Sequence, residues 1–408
     1  MTEETFVEVG FHQAKKHGQG AEGDVFLSRK TEDGRIISVL SDGLGSGIKA
    51  GVLATLTATM AIKFIAEEIP LRRAAGIIMK TLPVCKVRHI SYATFTIVDI
   101  DNSNLVKIVE YDNPPYVLIR ERVLVEPLKT DIEVKRAVRT RREATNEKAP
   151  IGSKTAIMHY SEFAALPGDR LIFFSDGITQ SGMGTHAMPL GWGSSDVEDF
   201  ALRLATEDPN ISARELARRL VLEAETNDAY SAKDDITCGV VYFRRPRRLL
   251  VMTGPSVDRT RDREMAEIFD RFPGKRALCG GTTATLIARE LGRAIKVSLK
   301  DMDPSMPPSS MMEGADLVTE GIITLGKAAE ILDRRDSSEQ RGKPSPAMKL
   351  VNLFLDSDVI DFVVGTKINE AHQDPSMPVE LEIRRNIVKR VAAILEEKYL
   401  KETRMRFL

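Results

Sequence analysis

The sequence predicts a mixed α/β (α+β) chain of two domains, on three observations. Its 408 residues exceed what one ordinary hydrophobic core serves. Up to Phe243, short β-type runs joined by turn residues surround two groups of helical blocks, a pattern that suggests sheets packed on each other with helices outside. Beyond Arg248 the pattern changes to βαβαβ, which predicts a smaller domain with a mostly parallel, helix-covered sheet.

In order, residues 24–29 and 36–40 read as a hairpin across Glu32-Asp33-Gly34. A Gly-rich loop then opens a helix over 48–68, and a second helix follows over 71–79. Strands resume at 92–100, 105–111 and 116–119, parted by Asp101-Asn102-Ser103-Asn104 and Asn113-Pro114-Pro115, both turn chemistry. Helices recur at 197–206 and 212–226, the latter opened by a capping box of Ser212 and Glu215. The strand 236–243 closes a first domain, residues 1–243.

Arginines crowd residues 244–248, which read as a solvated basic linker rather than a nucleic-acid contact, because the rest of the chain is not basic. In the second domain, 249–408, strands 249–253, 276–279 and 294–299 alternate with helices 261–272 and 282–291. A Met/Pro/Ser-rich loop at 301–310 precedes a strand at 360–364 and a closing helix at 379–399.

Composition excludes several classes. The 58 Lys and Arg against 59 Asp and Glu leave a formal net charge of -1, which argues against a polyanion or nucleic-acid binder. Cys85, Cys238 and Cys279 form no CxxC, so neither a disulfide framework nor a zinc ribbon is expected, and a reducing cytoplasm fits. Residues 1–10 carry three glutamates and no apolar run, unlike a signal peptide. The most apolar stretch, 50–62, is too short to span a bilayer and reads as a helix buried on all sides, so a soluble protein with no membrane partner is expected.

Four acidic motifs carry the chemistry: Gly23-Asp24, Ser41-Asp42-Gly43-Leu44-Gly45-Ser46-Gly47, Ser175-Asp176-Gly177-Ile178 and Asp234-Asp235-Ile236-Thr237. Three of them adjoin β-type runs, and an aspartate at the end of a buried strand is costly unless hydrogen-bonded or holding a cation. One Asp-Gly alone is a turn; four such motifs together describe a cage of hard oxygen ligands for Mg²⁺ or Mn²⁺. Two such ions about 3.5–4 Å apart supply hydroxide near neutral pH and polarise a phosphoryl group. Neither a CxxxxxR loop nor a DxDx(T/V) opening is present, in keeping with direct hydrolysis without a covalent intermediate.

These motifs, in this order and spacing, resemble the metal-dependent Ser/Thr protein phosphatases (PPM), specifically the bacterial SpoIIE/RsbU branch, over about residues 10–243. Asn113-Pro114-Pro115 stands where that branch commonly has a Gly-His-Pro-Pro-like turn. The resemblance implies an α-β-β-α sandwich with a binuclear Mn²⁺/Mg²⁺ centre. Asp42 would bridge both ions with the Gly43 carbonyl on one of them; Asp176 and Asp234 would complete the first ion's carboxylates. Asp24 would hold water or assist the phosphate, and Asp235 is a neighbouring candidate ligand. The substrate it implies is a phosphorylated bacterial regulatory protein, such as an anti-sigma antagonist.

The chain departs from the wider family in carrying Leu44 where a histidine proposed as general acid is common. Lys49 and Lys154 are candidates for phosphate contact by charge alone, and residues 182–195 around Trp192 are a candidate substrate flap. The six histidines show no paired metal-ligand spacing. In the second domain, Cys279-Gly280-Gly281-Thr282-Thr283-Ala284 passes from strand to helix, so Gly280, Gly281, Thr282 and Thr283 are candidates for a small anionic or nucleotide-like ligand. A close turn capped by Thr282 explains the same residues. Thr253-Gly254-Pro255-Ser256 would line the same crevice.

Three functional expectations follow: an active phosphatase, a degenerate phosphatase-fold scaffold with a ligand-sensing second domain, or a second domain that is itself an enzyme on a phosphorylated metabolite.

Overall fold

A computed structural model describes residues 5–45, 47–82, 93–138, 152–256, 258–297, 307–334, 345–366 and 379–408. Ser46, Cys85, His89, His372, residues 301–306 of the Met/Pro/Ser loop and the side chain of Lys154 lie outside that description. The chain divides into two compact units, Val7–Arg244 and Arg245–Leu408 with Met1–Phe6.

The first unit runs β1 (Phe6–Ala14), β2 (Asp24–Lys30), β3 (Ile36–Gly43), α1 (Ile48–Ala66), α2 (Leu71–Thr81), β4 (Ala93–Ile100), β5 (Leu105–Tyr111) and β6 (Val117–Arg120). It continues with β7 (Val123–Val125), β8 (Lys129–Val138), β9 (Gly152–Ala164), β10 (Arg170–Phe174), α3 (Asp176–Thr179), α4 (Ser194–Glu207), α5 (Ala213–Asn227) and β11 (Ile236–Arg244). One sheet has the order β2-β3-β4-β5-β9-β8 and the other β1-β11-β10-β6-β7.

Alternation along the strands builds four layers. Ile37 and Val39 of β3 pack with Ala58, Ala61, Ala74 and Ile78 of α1 and α2. The next residue of opposite parity, Leu40, joins Phe26, Val98, Leu171, Phe173, Val241 and Phe243 between the sheets. On the far side Ile172, Phe174, Cys238 and Val240 meet Val197 and Ala201 of α4 and Leu216 and Leu220 of α5. The result is an α-β-β-α sandwich. Each large side chain fully buried in it, such as Phe173, contributes about 1.5–3 kcal/mol. Ser212 caps α5 as its spacing predicts, its side chain accepting from the Glu215 N–H.

The apolar stretch 50–62 departs from expectation. Within α1, Ala50, Ala54, Thr57, Ala58 and Ala61 are buried, while Ile48, Val52 and Leu56, spaced at four residues, are 75%, 61% and 46% exposed. Composition reported apolarity on all sides, but the sheet covers only one. Among the described residues α1 is long and apolar enough to cross a membrane by length and composition, and here it is a core helix of the sandwich.

The second unit contains β12 (Arg248–Thr253), α6 (Asp262–Arg271), β13 (Lys275–Cys279), α7 (Gly281–Leu291), β14 (Ile295–Val297), β15 (Ser310–Met312) and β16 (Leu317–Thr319). Then come α8 (Ile322–Arg334), α9 (Pro346–Asp356), β17 (Val359–Val364), α10 (Val379–Tyr399) and β18 (Glu402–Phe407). Its sheet has the order β14-β15-β16-β13-β12-β17-β18. From β16 to β18 neighbouring strands are parallel. Leu250, Met252 and Leu278 face α6 and α7, and Leu249, Val251 and Phe362 face α8, α9 and α10.

The expected third parallel strand, 294–299, is instead the short exposed edge strand β14, antiparallel to β15. Leu317, Val318 and Thr319 take the parallel place beside β13, because they and not Ile295–Val297 are buried.

Candidate metal centre

The four acidic motifs come together at one end of the sandwich. Asp24 opens β2 and Asp42 nearly closes β3, and the antiparallel register sets them directly opposite each other. Asp176 starts α3 immediately after β10, and Asp234 lies just before β11. Because β10 and β11 pair antiparallel, the end of one strand lies beside the start of the other. The Ser175 N–H donates to the Thr237 carbonyl and the Thr237 N–H to Ser175 Oγ, both at 3.0 Å. Each sheet thus delivers two aspartates to the same end.

Two glycines are required by close approach. A Cβ at Gly43 would lie 2.2 Å from the Ala50 carbonyl oxygen, and one at Gly177 would lie 2.1 Å from that of Asp235. The glycine after each aspartate lets neighbouring backbone pack against the motif.

Crowding raises the carboxyls. Asp24 is 2% exposed and its pKa is pushed up to about 7, first by burial and then by the charges of Asp235 and Asp176, against hydrogen bonds with Ser175 and Thr237. Asp42 is raised well above the ordinary range by burial and by the charges of Asp24, Asp176 and Asp234. Asp234 is raised by burial despite the Asp235 N–H at 3.0 Å and the Lys16 ammonium at 3.9 Å. Asp176 accepts from Gln180 Nε2 at 2.7 Å.

Asp235 is placed differently. Its Oδ1 accepts from the Lys16 N–H and its Oδ2 from the Gly23 N–H, each at 3.0 Å. Both oxygens therefore tie the segment before β2 to the start of β11. Lys49 is exposed on the first turn of α1. Residues 182–195 are held at their base, where the Gly182 N–H donates to Asp228 and Lys233 Nζ donates to the Met183 carbonyl. Trp192 is buried there, edge-on to Phe200. Gly177, Ser181, Met183, Lys233 and Asp234 line a small pocket beside it.

Four neighbours of the centre escaped the sequence reading. Gln13 Nε2 donates to Thr237 Oγ1 at 3.2 Å and to the Asp24 carbonyl at 3.4 Å. Lys16 and Gln180 bear on Asp234 and Asp176 as above. Asp112 is raised by burial and by the charge of Asp176. Asp112 directly precedes Asn113-Pro114-Pro115 and was within reach of that signal; Gln13, Lys16 and Gln180 carry none.

The donor chemistry fits a hard divalent cation. The ligand candidates are all oxygen, and one of them, Asp24 Oδ2, is buried with no hydrogen-bond partner among the described residues. Among the described residues no group of three or more His, Cys, Asp or Glu side chains stands close enough together to ligate one ion. Mutual repulsion of the carboxylates opposes such an approach.

No curated protein matches the chain. Among solved structures, the PP2C phosphatase domain with a fragment of the regulatory domain of SpoIIE from Bacillus subtilis is 20% identical, with TM-score 0.43, over 60% of this chain and 63% of that one. The RsbU and RsbW domains of a Mycobacterium tuberculosis protein are 18% identical, with TM-score 0.44, over 65% of this chain and 67% of the other. RsbX in complex with magnesium is 16% identical, with TM-score 0.38, over 58% of this chain and 95% of its own. The family described as Stage II sporulation protein E (SpoIIE) matches residues 32–244. That match spans more than half of the 408 residues and contains Asp42, Asp176 and Asp234, and the chain belongs to the SpoIIE family.

Proposed function

We propose that the unit Val7–Arg244 is a protein serine/threonine phosphatase that depends on two Mn²⁺ or Mg²⁺ ions and acts on a phosphorylated bacterial regulatory protein, of the kind an anti-sigma antagonist represents. The observation that carries this reading is the register that sets Asp24 opposite Asp42, with Asp176 and Asp234 close enough to raise Asp42. Family membership agrees with it.

In this reading Asp42, the Gly43 carbonyl, Asp176 and Asp234 would hold the ions. When bound, the ions supply Lewis acidity, which makes hydroxide available near neutral pH and offsets phosphoryl charge. Asp24, buried at the strand end, orients water or substrate by hydrogen bonding. Gln180 fixes Asp176 by its 2.7 Å donation. Asp235 keeps the loop before β2 in place through two backbone N–H groups rather than ligating. Lys16 and Lys49 offer positive charge to an incoming phosphate at the rim. Met183, 40% exposed in the lining of the pocket next to Asp234, offers apolar grip to a protein substrate.

The test is hydrolysis of a phosphoserine peptide. Activity that needs Mn²⁺ and is lost in Asp42→Ala and Asp176→Ala supports the reading; full activity in both variants under chelation refutes it. A second reading, a degenerate scaffold, is favoured by the lack of any ready three-ligand group among the described residues and by Leu44. A scaffold binds at most one ion weakly and turns over no phosphopeptide.

A further inference from the structure

We propose that the glycine-rich crevice at the carboxyl ends of β12 and β13 binds the phosphate group of a small phosphorylated ligand, a site in the second unit and independent of the phosphatase reading. The strand order β16-β13-β12-β17-β18 grows outward from β12 first in one direction and then in the other. In open parallel sheets ligands bind outside the carboxyl ends of the strands near such a reversal, which here falls between β12 and β17, with β13 on the other side of β12.

Two turns line it here. Thr253-Gly254-Pro255-Ser256 leaves β12, and Gly280-Gly281-Thr282-Thr283 joins β13 to α7. α7 is 11 residues long, and its N-cap, Gly280, provides no side-chain cap. Its first N–H groups and helix dipole therefore favour an anion.

Independent of that helix end, two buried hydroxyls have no hydrogen-bond partner among the described residues. Ser256 is 2% exposed and Thr283 is 1% exposed, and Oγ of the first and Oγ1 of the second are unsatisfied. Leaving such a group unpaired is costly, and an acceptor bound in the site would satisfy it. The Thr283 hydroxyl lies against the glycines: a Cβ on Gly280 would lie 3.1 Å from Thr283 Oγ1 and 4.0 Å from the Gly254 nitrogen. Gly280 at φ 141° and Gly254 at φ 80° hold backbone conformations that other residues adopt only with strain.

The charge around the crevice suits an anion. Arg384 is 9% exposed; its Nη1 donates to the Gly365 carbonyl at 3.3 Å and would lie 2.6 Å from a Cβ on Gly254. The neighbouring carboxylates are turned to other work. Glu320 accepts from the Ile323 N–H at the start of α8, and Asp262 pairs with Arg289 at 2.6 Å. Hydroxyls, backbone N–H groups and a guanidinium are the donors that hold a phosphate.

The experiment is calorimetric titration of the full chain in EDTA with inorganic phosphate, ribose 5-phosphate and AMP in separate arms. Saturable one-site binding of at least one is expected, and the tightest arm identifies whether free phosphate, a sugar phosphate or a nucleotide is the source. Gly281 has open space where its Cβ would be, so Gly281→Asp folds and sets a carboxylate at the mouth; binding should weaken at least about tenfold. Thr283→Val, nearly isosteric, should weaken it about tenfold, and keeps the test valid if the aspartate variant melts early. Asp42→Ala should leave binding unchanged. Absence of saturable binding in all three arms, or binding unaltered in both second-unit variants, or binding lost in Asp42→Ala, overturns the proposal.

Discussion

The acidic end of the sandwich and the glycine-rich end of the parallel sheet present opposite electrostatic imbalances. In the first, aspartates from two sheets crowd until burial and mutual charge raise Asp24 and Asp42 well above the ordinary carboxyl range. In the second, two carboxylates are engaged elsewhere, and a buried hydroxyl with no hydrogen-bond partner among the described residues lies against two glycines at positive φ. The proposed ligands are correspondingly opposite, a cation in one region and an anion in the other. Uncompensated buried polarity thus points to the chemical class of a ligand on either side.

That contrast breaks most visibly at Asp42. Asp42→Ala should lower Mn²⁺-dependent phosphopeptide turnover by about a hundredfold or more, since it removes a preorganised electrostatic group, while phosphate binding to the second unit stays as it was. Loss of both would merge the two sites. The next largest effect belongs to the scaffold. Phe173, fully buried between the sheets and stacked on Phe26 at 5.8 Å, should cost about 3–5 kcal/mol as Phe173→Ala. Trp192 is the chain's one tryptophan and is buried in this unit, so its fluorescence in a urea titration reports the loss.

Asp235→Ala sharpens the comparison within the acidic end. Stranding the Lys16 and Gly23 N–H groups should cost about 2 kcal/mol in the same titration. Turnover should fall far less than in Asp42→Ala, because Asp235 straps the backbone. Equal losses in the two variants would make Asp235 a ligand.

A smaller effect is a pH slope. The Asp24 carboxyl has its folded pKa raised to about 7, so between the ordinary range near about 4 and 7 the folded state binds the extra proton. Its contribution to stability is full below that window and is lost as pH rises through 7. The metal-free protein should therefore melt at progressively lower temperature from pH 5 to pH 8, and Asp24→Asn should remove that part of the slope. An unchanged slope in the variant would mean that Asp24 is not the raised group.

Much of this was legible in the sequence, and the omissions have physical causes. Asp42, Asp176 and Asp234 are visible because a charged residue at the end of an apolar run is conspicuous, and Ser212 because a cap needs its partner three residues on. Helix α10 shows at both ends through its spacing. Gln13, Lys16 and Gln180 left no trace, since their meaning lies in contacts made only after folding; Gln13 meets Thr237 across 224 positions. β1 leaves little signal, although Val7 packs in the core and Val9 and Phe11 against it, because Glu8 and Gly10 sit between them. The final strand β18 is hidden by alternating charges, which suit an edge beside β17. The exposed stripe Ile48, Val52 and Leu56 was misjudged because apolarity does not say which side a sheet covers.

The most direct test is a count of Mn²⁺ ions by calorimetry on the full chain, wild type beside Asp42→Asn, at pH 7.5. The account predicts two ions per chain in the wild type and an affinity at least about tenfold weaker in the variant, the loss expected when a ligating charge is replaced by its neutral isostere. Indistinguishable isotherms for the two proteins would contradict it.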